Sequence, residues 1–238
     1  MRTTQIMLAL AVISTDISLA TPAVAEEPAV SEVNVEIGAS QTAYDFKGSP
    51  NAGLLSGSLA VGAPLGERVG IRVLGERARG EYADQDADSY ETFVAASMFL
   101  RRPEIGSIGV GVGNSSLRIA NRKLDTDYYR FDLSAYLSSV TLAIATIEAN
   151  PQDGANYSYG AAQAGWYVDP NLLLSVTTGL MDAKETYGIS LEQQTGQGGF
   201  AYSLRYGSNF DRDYDLYSLD LNYRLARPKS LMDRHRKD

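Results

Sequence analysis

Cysteine is absent from this chain, so neither a disulfide nor a thiolate metal site can be built. Histidine occurs once, as His235 near the end of a polar tail. Hydrolysis with an imidazole base therefore has one candidate, placed outside any expected strand, and no enzyme is expected. Beyond residue 30 no apolar run approaches the roughly 20 residues that a membrane-crossing helix needs. If the mature chain crosses a membrane, it has to do so as a closed barrel of strands. Positive charge is also short. With 21 Lys and Arg against 29 Asp and Glu, the net charge of -8 sets aside a nucleic-acid partner, which needs a basic face.

Two further motifs fail on inspection. Asp84, Asp86 and Asp88 imitate a calcium loop, but Ser89 stands where that loop needs glycine and Ala95 where it needs glutamate. Gly109-Val-Gly111-Val-Gly113 lacks the third glycine spacing and the following helix of a dinucleotide site. The sequence therefore calls for no metal and no cofactor.

What is present begins at the N-terminus. Arg2 supplies a positive start, Ile6 to Ile13 an apolar run, and Ala23-Val-Ala25 a small-residue site before Glu26. That is the layout of a cleavable secretory signal over residues 1–25. Asp16 breaks the run well short of an anchor.

Twelve segments then alternate apolar and polar residues, near 33–46, 54–63, 68–79, 88–101, 105–114, 127–138, 140–149, 157–168, 171–180, 184–194, 199–207 and 214–225. In the last, Tyr217, Leu219, Leu221, Tyr223 and Leu225 share one face, and Ser218, Asp220, Asn222 and Arg224 the other. The sixth sets Tyr129, Phe131, Leu133 and Leu137 against Arg130, Asp132, Ser134 and Tyr136. Strands three and four are blurred, and a slip of one residue would invert their faces. Short turns fall at 62–66, 102–104, 138–139, 169–171 and 195–198. Longer polar connectors at 47–53, 79–88, 114–127 and 207–214 alternate with them, joined by shorter ones at 150–156 and 180–184. This is the habit of membrane barrels, and it predicts an all-β fold: a closed, antiparallel, up-and-down transmembrane β-barrel of about 12 strands over residues 26–225. A soluble barrel or sandwich also alternates, but with its apolar face inward. Unlike charges in mid-strand and aromatic ends on the apolar faces (Tyr129, Trp166, Tyr206, Tyr217, Tyr223) favour lipid outside and water inside.

Trp166-Tyr-Val-Asp-Pro-Asn-Leu-Leu-Leu174 resembles the strand–turn–strand unit of proteobacterial porin-like outer-membrane proteins, and Met98-Phe-Leu-Arg-Arg-Pro-Glu-Ile-Gly106 is similar. The resemblance implies residence in the outer membrane of a Gram-negative bacterium, among its lipids and lipopolysaccharide. It also implies insertion by the outer-membrane assembly machinery, which reads a C-terminal strand ending in an aromatic residue. Here that strand ends at Leu225 and a polar tail, 226–238, follows. The tail carries Arg227, Lys229, Arg234, Arg236 and Lys237 and is expected to be disordered in the periplasm, where it could touch anionic polymers.

The register turns Glu36, Arg72, Arg130, Asp132, Gln163, Glu192, Arg205, Asp220, Asn222 and Arg224 into the lumen. Opposed charges there can select passing solutes, or they can neutralise one another and fill the interior. Small inward residues (Gly109, Gly111, Gly113, Ala143, Ala145, Ala201) argue for open space. Mixed signs predict weak selectivity, with the overall acidity leaning towards cations. The functional expectation is a monomeric barrel passing small hydrophilic solutes. The alternative is an occluded barrel that binds a partner through its acidic loops, Glu81 to Asp88 and Asn209 to Asp215.

Overall fold

The computed structural model describes residues 32–48, 51–82, 85–119, 122–181, 184–195, 199–211, 213–225 and 229–237. The signal segment 1–25 and the side chains of Asp84, Asp86 and Asp88 lie outside the described residues. Twelve strands follow one another: β1 Asn34–Phe46, β2 Ala52–Pro64, β3 Val69–Tyr82, β4 Gln85–Arg102, β5 Gly106–Ile119 and β6 Arg122–Leu137. The second half is β7 Val140–Pro151, β8 Tyr157–Asp169, β9 Leu172–Met181, β10 Lys184–Gln194, β11 Phe200–Asn209 and β12 Tyr214–Leu225, and a short helix, α1, spans Leu231–Lys237. Each strand pairs antiparallel with its neighbour, and β1 closes on β12 in register from Val35 opposite Leu225 to Phe46 opposite Tyr214. Closure leaves no strand with an unpaired backbone edge, the condition for placing a sheet in hydrocarbon.

The faces sort by polarity. Leu55, Val176 and Ile189 are 61%, 57% and 58% exposed on the outer wall. Ser56 and Ser175, the inward neighbours of Leu55 and Val176, are buried. This is the reverse of a soluble barrel, whose apolar residues fill the interior; an outer surface of this kind is stable in lipid and not in water. On β6 the outward apolar run covers the nine residues from Tyr129 to Leu137, close to the 9–11 a tilted strand needs, and Asp127 and Asp125 follow it. Tyr187, Tyr206, Tyr217 and Phe210 form one aromatic cluster near the loop end, with ring centroids 5.1–6.3 Å apart. Trp166, Phe200 and Tyr223 lie near the other end, beside the chain termini, so aromatics edge the apolar band on both sides.

The blurred strands resolve cleanly. Arg72, Leu74, Glu76, Ala78, Glu91, Phe93 and Arg101 face inward, and Val73, Val94, Met98 and Leu100 face outward. The connectors expected at 79–88 and 114–127 are corrected in part: β3 to β6 continue pairing as far as Tyr82 opposite Gln85 and Ile119 opposite Arg122. Outward Arg79 pairs there with Glu81 at 3.3 Å, and Asn114 donates to Asp127 at 2.9 Å. Polar residues on an outward face ended the sequence pattern without ending the sheet, because beyond lipid both faces of a hairpin can be wet. Hydrogen bonds and charge from Lys184 hold the Asp213 carboxyl below its ordinary range, with Asn209 assisting. Part of the acidic 209–215 loop is thus tied to β10.

A charge on the outer face tests this arrangement. Ile144→Arg should cost about 2–4 kcal/mol of stability near mid-bilayer. Urea-titrated refolding into vesicles, read by heat-modifiable gel mobility, measures it. A cost no greater than that of Ile144→Ala would place this face out of lipid.

Candidate functional site

The lumen is built from the inward positions of the alternating strands, and all ten residues expected there border interior voids. Glu36, Arg72, Arg130, Asp132, Glu192 and Arg224 line a cavity of about 200 Å³. Gln163 stands apart, in a second cavity of about 170 Å³ with Glu192 and Arg205. Asp220 and Asn222 meet Arg205, Glu36 and Arg72 around a smaller void of about 40 Å³.

Register explains who meets whom. Arg130 and Asp132, two apart on β6, point the same way and form an ion pair at 2.8 Å. Arg205 on β11 reaches across to Asp220 on β12 with two hydrogen bonds, at 2.7 and 3.0 Å, the forked geometry that suits a guanidinium and a carboxylate. Ser203 and Ser218 add donors to the same carboxylate at 2.7 and 3.3 Å.

Towards the loop end the lumen is partly packed with rings, while the cavity of about 170 Å³ reaches that end beside Tyr159, Tyr187 and Tyr214. Tyr44, Leu54 and Ala78 form one buried cluster with Phe46, Phe93 and Leu216 against it. Tyr128, Ile147 and Tyr157 form another, also bordered by Phe93 and by Tyr159. Of the small inward residues expected to leave open space, Gly109, Gly111 and Gly113 border the cavity of about 200 Å³. Ala143, Ala145 and Ala201 are buried, and a Cβ on Gly113 or Gly109 would stand 3.1 Å from Phe93 or 3.3 Å from Phe99. Beside Gly113 the Phe93 ring takes up the room a side chain would need.

The tail is the larger correction. Residues 231–237 are not disordered in solvent; they form α1, seated in the mouth at the end where the termini lie. Ser230 caps the helix, accepting from the Asp233 amide at 3.1 Å and donating to its carboxylate at 2.9 Å. Asn171, in the β8–β9 turn, accepts from the Leu231 amide at 3.0 Å, and Pro170 from that of Met232 at 2.8 Å. Leu231 is fully buried against Tyr167 and Leu173. Arg234 pairs with Glu36 at 3.1 Å, and Arg236 donates to the Ser138 carbonyl. His235 stands between the Tyr167 hydroxyl, 2.9 Å from Nδ1, and Glu192, 3.2 Å from Nε2. Of the tail's cations, Arg234 thus faces a lumen carboxylate, and Arg236 lies against the Ser138 carbonyl and the Tyr167 ring.

Several lumen residues escaped the sequence reading: Glu76, Glu91 and Arg101 on the blurred strands, and Arg234 and His235 on the tail. Only α1 had a readable signal. Ser230-Leu-Met-Asp233 has the spacing of a capping box, and Leu231 and Met232 are apolar residues in an otherwise charged segment. His235 is oriented by a phenol and a carboxylate, contacts that hold the helix in place.

No family model and no curated protein matches this chain. Solved structures match its fold. An outer membrane channel from Pseudomonas putida F1 superposes with a TM-score of 0.61 at 10% identity, over 85% of this chain and 96% of that one. The β domain of the Bordetella autotransporter BrkA gives 0.60 at 6% identity, over 81% and 98%. The KdgM porin in complex with disordered oligogalacturonate gives 0.57 at 12% identity, over 79% and 98%. At these identities the likeness is one of fold: a closed barrel shared with outer-membrane porins and channels.

Proposed function

We propose that the protein is a non-enzymatic channel of the Gram-negative outer membrane, exported by its N-terminal signal and closed at rest by its own C-terminal helix. When α1 withdraws, small hydrophilic solutes pass through the mixed-charge lumen lined by the ten residues named above. The end that holds α1 faces the periplasm, and the long hairpins of β3 to β6 face outward among lipopolysaccharide. The chain works as a monomer, since its own first and last strands close the sheet. The observation that carries this reading is α1 itself. A barrel filled permanently by its strand side chains needs no separate stopper, whereas this one retains polar cavities and has its mouth covered by a tethered helix held largely by polar contacts.

The occluded, surface-binding barrel remains the second reading, favoured by the aromatic clusters at the loop end. Planar-bilayer recording separates the two. The full chain is expected to be mostly closed with brief openings, and a chain ending at Leu225 to conduct persistently. Silence from both, in samples with folded gel mobility, would leave the occluded scaffold.

A further inference from the structure

Gln163, the lumen residue that stands apart from the larger cavity, belongs to a polar patch of its own. It faces Thr177 directly across the β8–β9 pairing, and Ser175, two residues along β9, faces Ser190 across β9–β10. All four point inward and border the cavity of about 170 Å³. Directly opposed positions hold their Cβ atoms about 4.5–5.5 Å apart, so the four side chains form one contiguous surface. None of them hydrogen-bonds to another described residue, and Ser175 is 5% exposed. Polar groups withdrawn from bulk water are costly without partners, so a bound molecule or water has to supply them.

The charges at the border of this cavity, Arg205 and Glu192, are engaged elsewhere. Arg205 is held by Asp220 at 2.7 Å, and Glu192 by His235 of α1 at 3.2 Å. Ser203 and Ser218, on the far wall, also donate to Asp220. What the patch offers instead is one carboxamide and three hydroxyls, groups that both donate and accept. Tyr159, Tyr214, Leu173 and Leu216 add apolar surface around them. A dry cavity of roughly 150 Å³ is large enough for a benzene ring. The cavity of about 170 Å³ therefore has room for one six-membered ring with part of its substituents.

We infer that this cavity binds a small neutral polyol of the size of one sugar ring. Hydroxyls on adjacent ring carbons donate and accept in turn, as the Gln163, Ser175, Thr177 and Ser190 side chains do. An uncharged ligand also needs no counter-ion from a wall whose charged groups already have partners. The inference deepens the channel reading by naming the class of solute the lumen holds. The lumen then has two kinds of chamber, one bordered by charged groups beside α1 and one by uncharged hydrogen-bonding groups on β8 to β10.

Ligand-observed NMR on the folded full chain, in a detergent without sugar headgroups, tests the inference with four probes: glucose, cyclohexanol, glucuronate and glucosamine. Glucose is expected to bind at least about tenfold more tightly than cyclohexanol, which keeps a six-membered ring and one hydroxyl. Glucuronate and glucosamine, which add a carboxylate and an ammonium, are expected to bind no more tightly than glucose. Gln163→Leu with Thr177→Val should weaken glucose by about tenfold, the scale of two neutral hydrogen bonds, with folded gel mobility retained. Cyclohexanol binding as tightly as glucose, or either charged sugar binding about tenfold more tightly than glucose, would overturn the inference. So would the absence of saturable binding by any probe, or an unchanged affinity in the folded double variant; the wild-type chain alone is enough for the first three outcomes. If glucose fails to bind while the chain ending at Leu225 conducts, only this inference falls. If glucose binds while neither chain conducts, the site stands and the channel reading falls.

Discussion

Replacing Leu231 by Asp should open the channel without unfolding the barrel. Leu231 is fully buried, and its contacts are Tyr167 and Leu173 on the wall. Burying such a side chain is worth about 1.5–3 kcal/mol. A carboxylate in the same place loses that and adds the cost of a charge buried against the apolar Leu173. The remaining attachments are the ion pair of Arg234 with Glu36, the hydrogen bond of His235 with Glu192 and a few backbone hydrogen bonds, each of which water can replace once the helix leaves. Because every 1.4 kcal/mol is a factor of ten in an equilibrium, the open fraction should rise by at least about tenfold. The barrel itself keeps its strand pairings, so gel mobility should remain that of the folded form. Single-channel recording of the variant beside the full chain reads the effect. An unchanged open fraction would mean that α1 does not govern passage.

The contrast between strands and tail shows what the sequence made legible. All twelve strands could be placed because inward and outward faces meet solvents of opposite kind, water and lipid, and each residue records which one it meets. Tyr217 to Leu225 is the clearest case, alternating without error and pairing on both sides as expected. β3 and β4 were blurred because Leu74, Ala78, Phe93 and Ala95 face inward. Apolar residues packing the loop end of a lumen are indistinguishable, one by one, from apolar residues facing lipid. The tail failed for a different reason. A charged segment after the last strand reads as solvated, and nothing local tells that Arg234 and His235 would find Glu36 and Glu192, far away in the chain but brought together by the closed sheet. The ten lumen candidates follow from register alone; the contacts of Arg234 and His235 with Glu36 and Glu192 follow only from closure.

The lumen's most connected carboxylate should be its most sensitive position for stability. Asp220 is 5% exposed and accepts from Arg205 twice, from Ser203 and from Ser218. Asp220→Ala removes all four acceptor contacts and leaves a guanidinium facing the lumen without its carboxylate. Breaking a buried pair from one side typically costs about 3–5 kcal/mol. Arg205 retains some access to the adjoining cavity, so the lower part of that range is expected. Removing both charges is a different matter, because no charge is then left uncompensated: Arg205→Leu with Asp220→Leu should recover much of the loss. Urea unfolding of the two single variants and the double variant, refolded in the same vesicles, gives the coupling directly. Strictly additive losses would mean that water screens the pair and that Ser203 and Ser218 carry the stabilisation. Coupling above about 1 kcal/mol would establish the pair as a strut across the β11–β12 seam, next to the strand pairing that closes the barrel.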